Sequence, residues 1–142
     1  MMESKSFPGT VDSLDSLREY VDELSRQAGL TKKKTYALKL AIDEIATNII
    51  LYGYQDAGIE GDFSVLSEIA DNRLTVILED IAASFDPLAK ELPDADDLTK
   101  SLEDRQIGGL GIYLTVNGVD EFSWEYTGGK NRNKFVMIIE AS

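Results

Sequence analysis

Glu44 and Asn48 sit four residues apart in LAIDEIATNIILYGY, residues 40 to 54, among Ile42, Ile45, Ile49 and Ile50. That spacing puts both side chains on one face of a helix. A carboxylate there can take the proton of a hydroxyl, and an amide oxygen there can hold magnesium. Burying a charged group on an apolar helix is costly without a partner, so this face meets either water or a ligand. Spacing alone favours the plainer reading, a half-exposed polar stripe.

Three further stretches carry chemistry-bearing residues. Asp80 opens DIAASFDPL, residues 80 to 88, at the end of an apolar run. A carboxylate so placed can accept a hydrogen bond from an exocyclic amine such as that of adenine, although an ordinary strand-end turn fits the same residues. IGGLGIYL, residues 107 to 114, has three glycines at the head of a predicted helix. Unpaired N–H groups and the helix dipole favour phosphate there, while a hinge with close helix packing is the alternative. No Lys follows in the manner of a GxxxxGK[ST] loop. Arg105, just before the glycines, has the geometry for a terminal phosphate, or for a surface ion pair. Trp124 and Tyr126 alternate on a strand and read as packing or surface residues.

The elements that must hold these residues follow from periodicity. Residues 4–8 read as a short strand ending at Pro8. Leu14, Leu17, Val21 and Leu24 recur at helical spacing after Asp12 or Ser13 as a cap, with Gly29 as the stop. Thr31 caps a broadly apolar helix over about residues 32–52, ended by Gly53. DFSVLSEIA (62–70) and RLTVILED (73–80) form a hairpin around Asp71 and Asn72. Residues 81–107 lack a period and read as a functional loop. A Gly-led helix over 108–119 precedes a last hairpin, EFSWEYT (121–127) and NKFVMIIE (133–140), around GGKNR. The order implies one α+β domain over residues 1–142: a two-layer sandwich of a mainly antiparallel sheet with helices on one face.

Composition narrows the function. The 142 residues suffice for one domain with its own core. A net charge of −12 argues against binding a nucleic-acid backbone or an anionic membrane. The chain has neither Cys nor His. Disulfides, thiolate chemistry, Ser-His-Asp catalysis, His-ligated zinc and an internal phosphohistidine are therefore excluded, and a metal would sit on oxygen ligands. No signal region or run of transmembrane length is present, so the expected location is cytoplasmic.

E-x-x-x-N on a helix, a strand ending in D-x-x-x-x-F-D-P, a loop, then G-G-L-G-I-x-L: this order resembles the GHKL ATPase superfamily. The small size is similar to that of its anti-sigma-factor serine/threonine kinase branch. The resemblance implies ATP and Mg2+ as cofactors and a kinase activity. Glu44 would be the catalytic carboxylate and Asn48 the magnesium ligand. Asp80 would recognise adenine, with Ala82 and Phe85 beside the base. Gly108, Gly109, Leu110 and Gly111 would approach the phosphates, with Arg105 as an extension from position. Residues 88–107 would be the lid. Two positions depart from the family pattern: Ala82 stands where glycine is usual, and Val136 aligns where the last strand often has Thr near the base. The implied partners are an anti-sigma antagonist of the STAS type and a sigma factor. A homodimer through the leading strand and first helix is consistent with the family. A regulatory binding module without kinase activity and a detached histidine-kinase catalytic domain are the competing readings.

Overall fold

The computed structural model describes residues 2–85, 87 and 117–139. In chain order they form β1 (Glu3–Pro8), α1 (Ser13–Ala28), α2 (Lys32–Asn48), a π-helical segment (Ile49–Gln55), β2 (Asp62–Ala70), β3 (Arg73–Asp80), β4 (Glu121–Thr127) and β5 (Lys130–Ile138). The strands make one sheet in the order β1-β2-β3-β5-β4, and every pairing among the described residues is antiparallel. The loop from residue 88 to 107 and residues 108–116 of the predicted helix lie outside the described residues, and residues 117–119, where that helix is expected to end, form a turn instead.

Alternation places one set of strand side chains under the helices. Phe7, Phe63, Val65, Leu74, Val76, Leu78, Phe135 and Met137 are buried there. They meet Leu14, Leu17, Val21 and Leu24 of α1 and Leu38, Ala41, Ile42 and Ile45 of α2. Each large side chain so buried contributes about 1.5–3 kcal/mol. The opposite face carries ion pairs instead, Arg73–Glu121 at 3.0 Å and Arg132–Glu79 at 3.1 Å.

Turn chemistry fixes the register. Asp71 and Asn72 both adopt positive φ between Ala70 and Arg73, as the hairpin expectation requires. Gly128 and Gly129 do the same between Thr127 and Lys130. The last turn is therefore two residues, and β5 starts at Lys130 rather than Asn133. Gly29 ends α1 in the left-handed region, and Thr31 caps α2 by accepting the Lys34 N–H at 3.1 Å. Asp12 stands at the start of α1, but its side chain makes no capping bond.

The second helix departs from expectation at its end. The π-helical segment carries it through Gly53 to Gln55. Gly53 is not a stop. A Cβ on it would lie 2.9 Å from the Cβ of Ala82, so its missing side chain lets helix and strand end touch. Such π segments occur often at functional sites.

Candidate functional site

Asp80 ends β3 on the core-facing side and is only 2% exposed. Its Oδ1 accepts the Ala82 N–H at 2.9 Å and an N–H of the Asn131 amide at 3.0 Å. No hydrogen bond to its Oδ2 occurs among the described residues. Asn131 stands directly opposite on β5 and holds the whole turn. Its Nδ2 also lies 3.1 Å from the Ala82 carbonyl and 3.0 Å from that of Ala83, sharing two hydrogens among three acceptors. Its Oδ1 accepts from the Phe85 N–H and from Trp124 Nε1, each at 3.0 Å. Burial pushes the Asp80 carboxyl above its ordinary value, opposed by the Asn131 and Ala82 hydrogen bonds.

Helix and strand end are joined at two points. The Ala82 methyl faces Gly53, and Tyr54 Oη accepts the Ile81 N–H at 3.2 Å. The Tyr54 hydroxyl also donates to the Asp62 carbonyl at 2.9 Å, and burial raises its pKa. The π-helical segment that makes these contacts begins one residue after Asn48. Asn48 Nδ2 donates to the Glu44 carbonyl at 2.8 Å, which leaves the amide oxygen for another partner. Glu44 is half-buried, and its carboxylate has no hydrogen bond or ion pair among the described residues.

Among the described residues, a magnesium ion fits this donor set in one way. No three acidic side chains cluster among the described residues. The ion would be held by nucleotide phosphates together with the Asn48 oxygen, as magnesium commonly is, and not by a protein cage.

The sequence-predicted residues fall into three groups. Asp80 and Ala82 are hydrogen-bonded to each other, and Glu44 and Asn48 share one face of α2, as expected. Phe85 is 44% exposed, and its backbone N–H is tied to Asn131. Arg105, Gly108, Gly109, Leu110 and Gly111 lie outside the described residues. One expectation is corrected by the register. Val136 pairs with Thr75, while Asp80 pairs with Asn131, so Val136 is five residues along β5 from the carboxylate. The residues sequence reasoning missed are Asn131, Trp124, Tyr54 and Gly53, with the buried Asn133 beside them on β5. The signal for the two asparagines was present: Asn131 and Asn133 alternate in phase with Phe135 and Met137.

Residues 7–139 match the histidine kinase-like ATPase domain family. The "Serine-protein kinase RsbW" of Bacillus velezensis is 30% identical over 124 residues, covering 86% of this chain and 76% of the relative. The protein of the same name from Halalkalibacterium halodurans is 25% identical, covering 86% and 74%. Among solved structures, the histidine kinase domain of the Erythrobacter litoralis EL346 blue-light activated histidine kinase superposes with a TM-score of 0.54 at 13% identity. That match covers 89% of this chain, which spans 61% of the solved one. Acinetobacter baumannii histidine kinase AdeS gives 0.53 at 11%, covering 96% and 68%. These two share the fold. With a five-stranded antiparallel sheet, a buried strand-end Asp80 and the Glu44–Asn48 pair on α2, the chain belongs to the histidine kinase-like ATPase family of the GHKL superfamily, with RsbW-type serine-protein kinases among its relatives.

Proposed function

We propose that this chain is an ATP-dependent protein serine/threonine kinase, acting as one nucleotide-binding domain over residues 1–142. Its substrate would be a STAS-type anti-sigma antagonist, and in the alternative state it would bind a sigma factor. The observation that carries the reading is the half-engaged Asp80 carboxylate. One oxygen accepts from Asn131 and Ala82, and the other, which accepts no hydrogen bond among the described residues, suits the exocyclic amine of an adenine. The names of the curated relatives support a hydroxyl acceptor.

In this reading Glu44 accepts the proton of the substrate hydroxyl as its oxygen attacks the terminal phosphorus. The bond to the bridging oxygen breaks, and ADP leaves. Magnesium, when bound, neutralises the phosphate charge, which is most of what phosphoryl transfer asks of a protein. Asn48 would supply an oxygen to it, with the amide pinned by the Glu44 carbonyl. Asp80 orients the base, and Asn131 orients Asp80. The exposed edge strand β1, with α1, is the surface for a homodimer. No helix among the described residues is long and apolar enough to cross a membrane, and a cytoplasmic location fits such partners.

The test uses purified protein, magnesium, ATP labelled on its terminal phosphate, and candidate antagonists. The expected result is acid-stable label on a Ser or Thr, lost in Glu44→Ala while ATP still binds. Equal labelling by Glu44→Ala, or no labelled antagonist at all, overturns the kinase. An acid-labile product assigns the chain to phosphorylation of a His on a separate protein.

A further inference from the structure

Glu44 and Asn48 belong to a longer row. Counted back in fours along α2, the same row carries Leu40, Tyr36 and Lys32. Residues four apart form one ridge on a helix surface. Tyr36 is 64% exposed, the highest value for a large apolar side chain among the described residues, and Leu40 is 41% exposed. Another side of α2 is tied to α1, through Arg18–Asp43 at 2.8 Å and Lys39–Asp22 at 3.0 Å. Tyr36 and Leu40 therefore face away from both the sheet and α1.

The start of the ridge breaks a local rule. α2 opens with Lys32, Lys33 and Lys34 and has no acid in its first turn, although the helix dipole favours acids there. Lys34 has a structural use. Its Nζ pairs with Asp120 at 3.2 Å and donates to the Ile138 carbonyl at 2.7 Å. Lys32 and Lys33 are exposed and pair with nothing among the described residues. A local rule broken without a gain to the fold tends to mark function. Two cations and two apolar side chains thus lie together on the helix that holds the candidate catalytic carboxylate.

The chemistry of this surface selects its occupant. The chain has a net charge of −12, so most of it repels an acidic partner. The lysine pair gives such a partner a place to touch, and Tyr36 with Leu40 offers an apolar anchor beside it. At 1.5 Å per residue, Leu40 lies about 6 Å along the axis from Glu44, Tyr36 about 12 Å and Lys32 about 18 Å.

We propose that this ridge docks the protein whose hydroxyl is phosphorylated. The hydroxyl sits at Glu44, an apolar side chain of the partner covers Tyr36 and Leu40, and an acidic group at the far end meets Lys32 and Lys33. This rests on the kinase reading above and adds the surface that recognises the substrate protein.

The probe is the antagonist that takes label in the kinase test, titrated as substrate with wild type, Tyr36→Ser/Leu40→Ser and Lys32→Glu/Lys33→Glu. The apolar pair should raise KM about tenfold and leave kcat unchanged, because docking away from the reacting atoms is uniform binding. The lysine pair should raise KM about fivefold at low salt, and the gap from wild type should close as salt screens it. ATP affinity should be unchanged in both variants. The lysine variant should melt no lower than wild type, since acids suit a helix start. An unchanged KM in both variants, with the antagonist still labelled, overturns the inference and leaves the kinase standing. Altered ATP affinity in the lysine variant assigns the cations to the phosphates or to the chain's own acidic stretch 91–104, which overturns it too. A monomeric Tyr36→Ser/Leu40→Ser beside a dimeric wild type gives the surface to a second copy instead. With no candidate antagonist labelled, the kinase reading falls and takes this role of the ridge with it.

Discussion

Strands β3 and β5 run side by side from a dry end to a polar one on the same sheet face. At one end Leu74 pairs with Met137 and Val76 with Phe135, all buried. At the other, Leu78 pairs with Asn133 and Asp80 with Asn131, equally buried. The dry end gains from every atom it removes from water. The polar end must satisfy each buried group, as the Asn131 amide does for Asp80 and the turn, while the Asn133 oxygen has no partner among the described residues. One ladder therefore holds the fold at one end and carries the candidate site at the other.

The largest effect that sharpens this contrast is at the dry end. Phe135→Ala removes a fully buried ring and should cost about 3–5 kcal/mol of stability. Denaturant melts measure it, and the folded fraction should bind nucleotide as before. A lost nucleotide affinity in the folded fraction would show that the two ends are not separable.

Asp80→Asn is the mirror experiment. Nucleotide affinity should drop about a hundredfold, or about 2.7 kcal/mol, with no loss of apo stability. Its pH behaviour has a definite sign. Burial raises the folded pKa of Asp80 above its ordinary value of 3.8, so the folded state holds its proton longer than the unfolded chain does. The stability from this group is therefore full below 3.8 and is lost as pH rises through the raised folded value. Denaturation midpoints against pH should decline across that window in wild type and flatten in Asp80→Asn. Identical slopes would remove Asp80 from the linkage.

Tyr54→Phe is the smallest change. It leaves the Asp62 carbonyl and the Ile81 N–H without their shared hydroxyl and should cost about 1–2 kcal/mol. Because Tyr54 joins the π-helical segment to the end of β3, a modest weakening of nucleotide binding should accompany it. Calorimetry beside thermal melting separates the two losses.

The elements were legible wherever a local rule governs them. Asp71-Asn72 announced a hairpin because few residues tolerate positive φ, and α1 announced itself through Leu14, Leu17, Val21 and Leu24. The Glu44–Asn48 pair was legible as a spacing, and Asp80 as a strand end. What stayed hidden depends on register between distant segments. Asn131 was read as part of a loose turn because GGKNR contains a shorter one, Gly128-Gly129. That shift also misplaced Val136 near the base. Gly53 read as a helix stop because its use, contact with a residue 29 positions later, has no local signature.

The contact between Gly53 and Ala82 also bears on how such a chain can change over time. The methyl group of Ala82 occupies the space a side chain at 53 would need. The two positions hold one methyl between them, and the interface has room for it on either side but not on both. Substitutions there are coupled: alanine at 53 becomes tolerable once 82 is glycine, and the intermediate with two methyls is the barrier. Drift across this pair has a preferred order, in which space opens before it is filled.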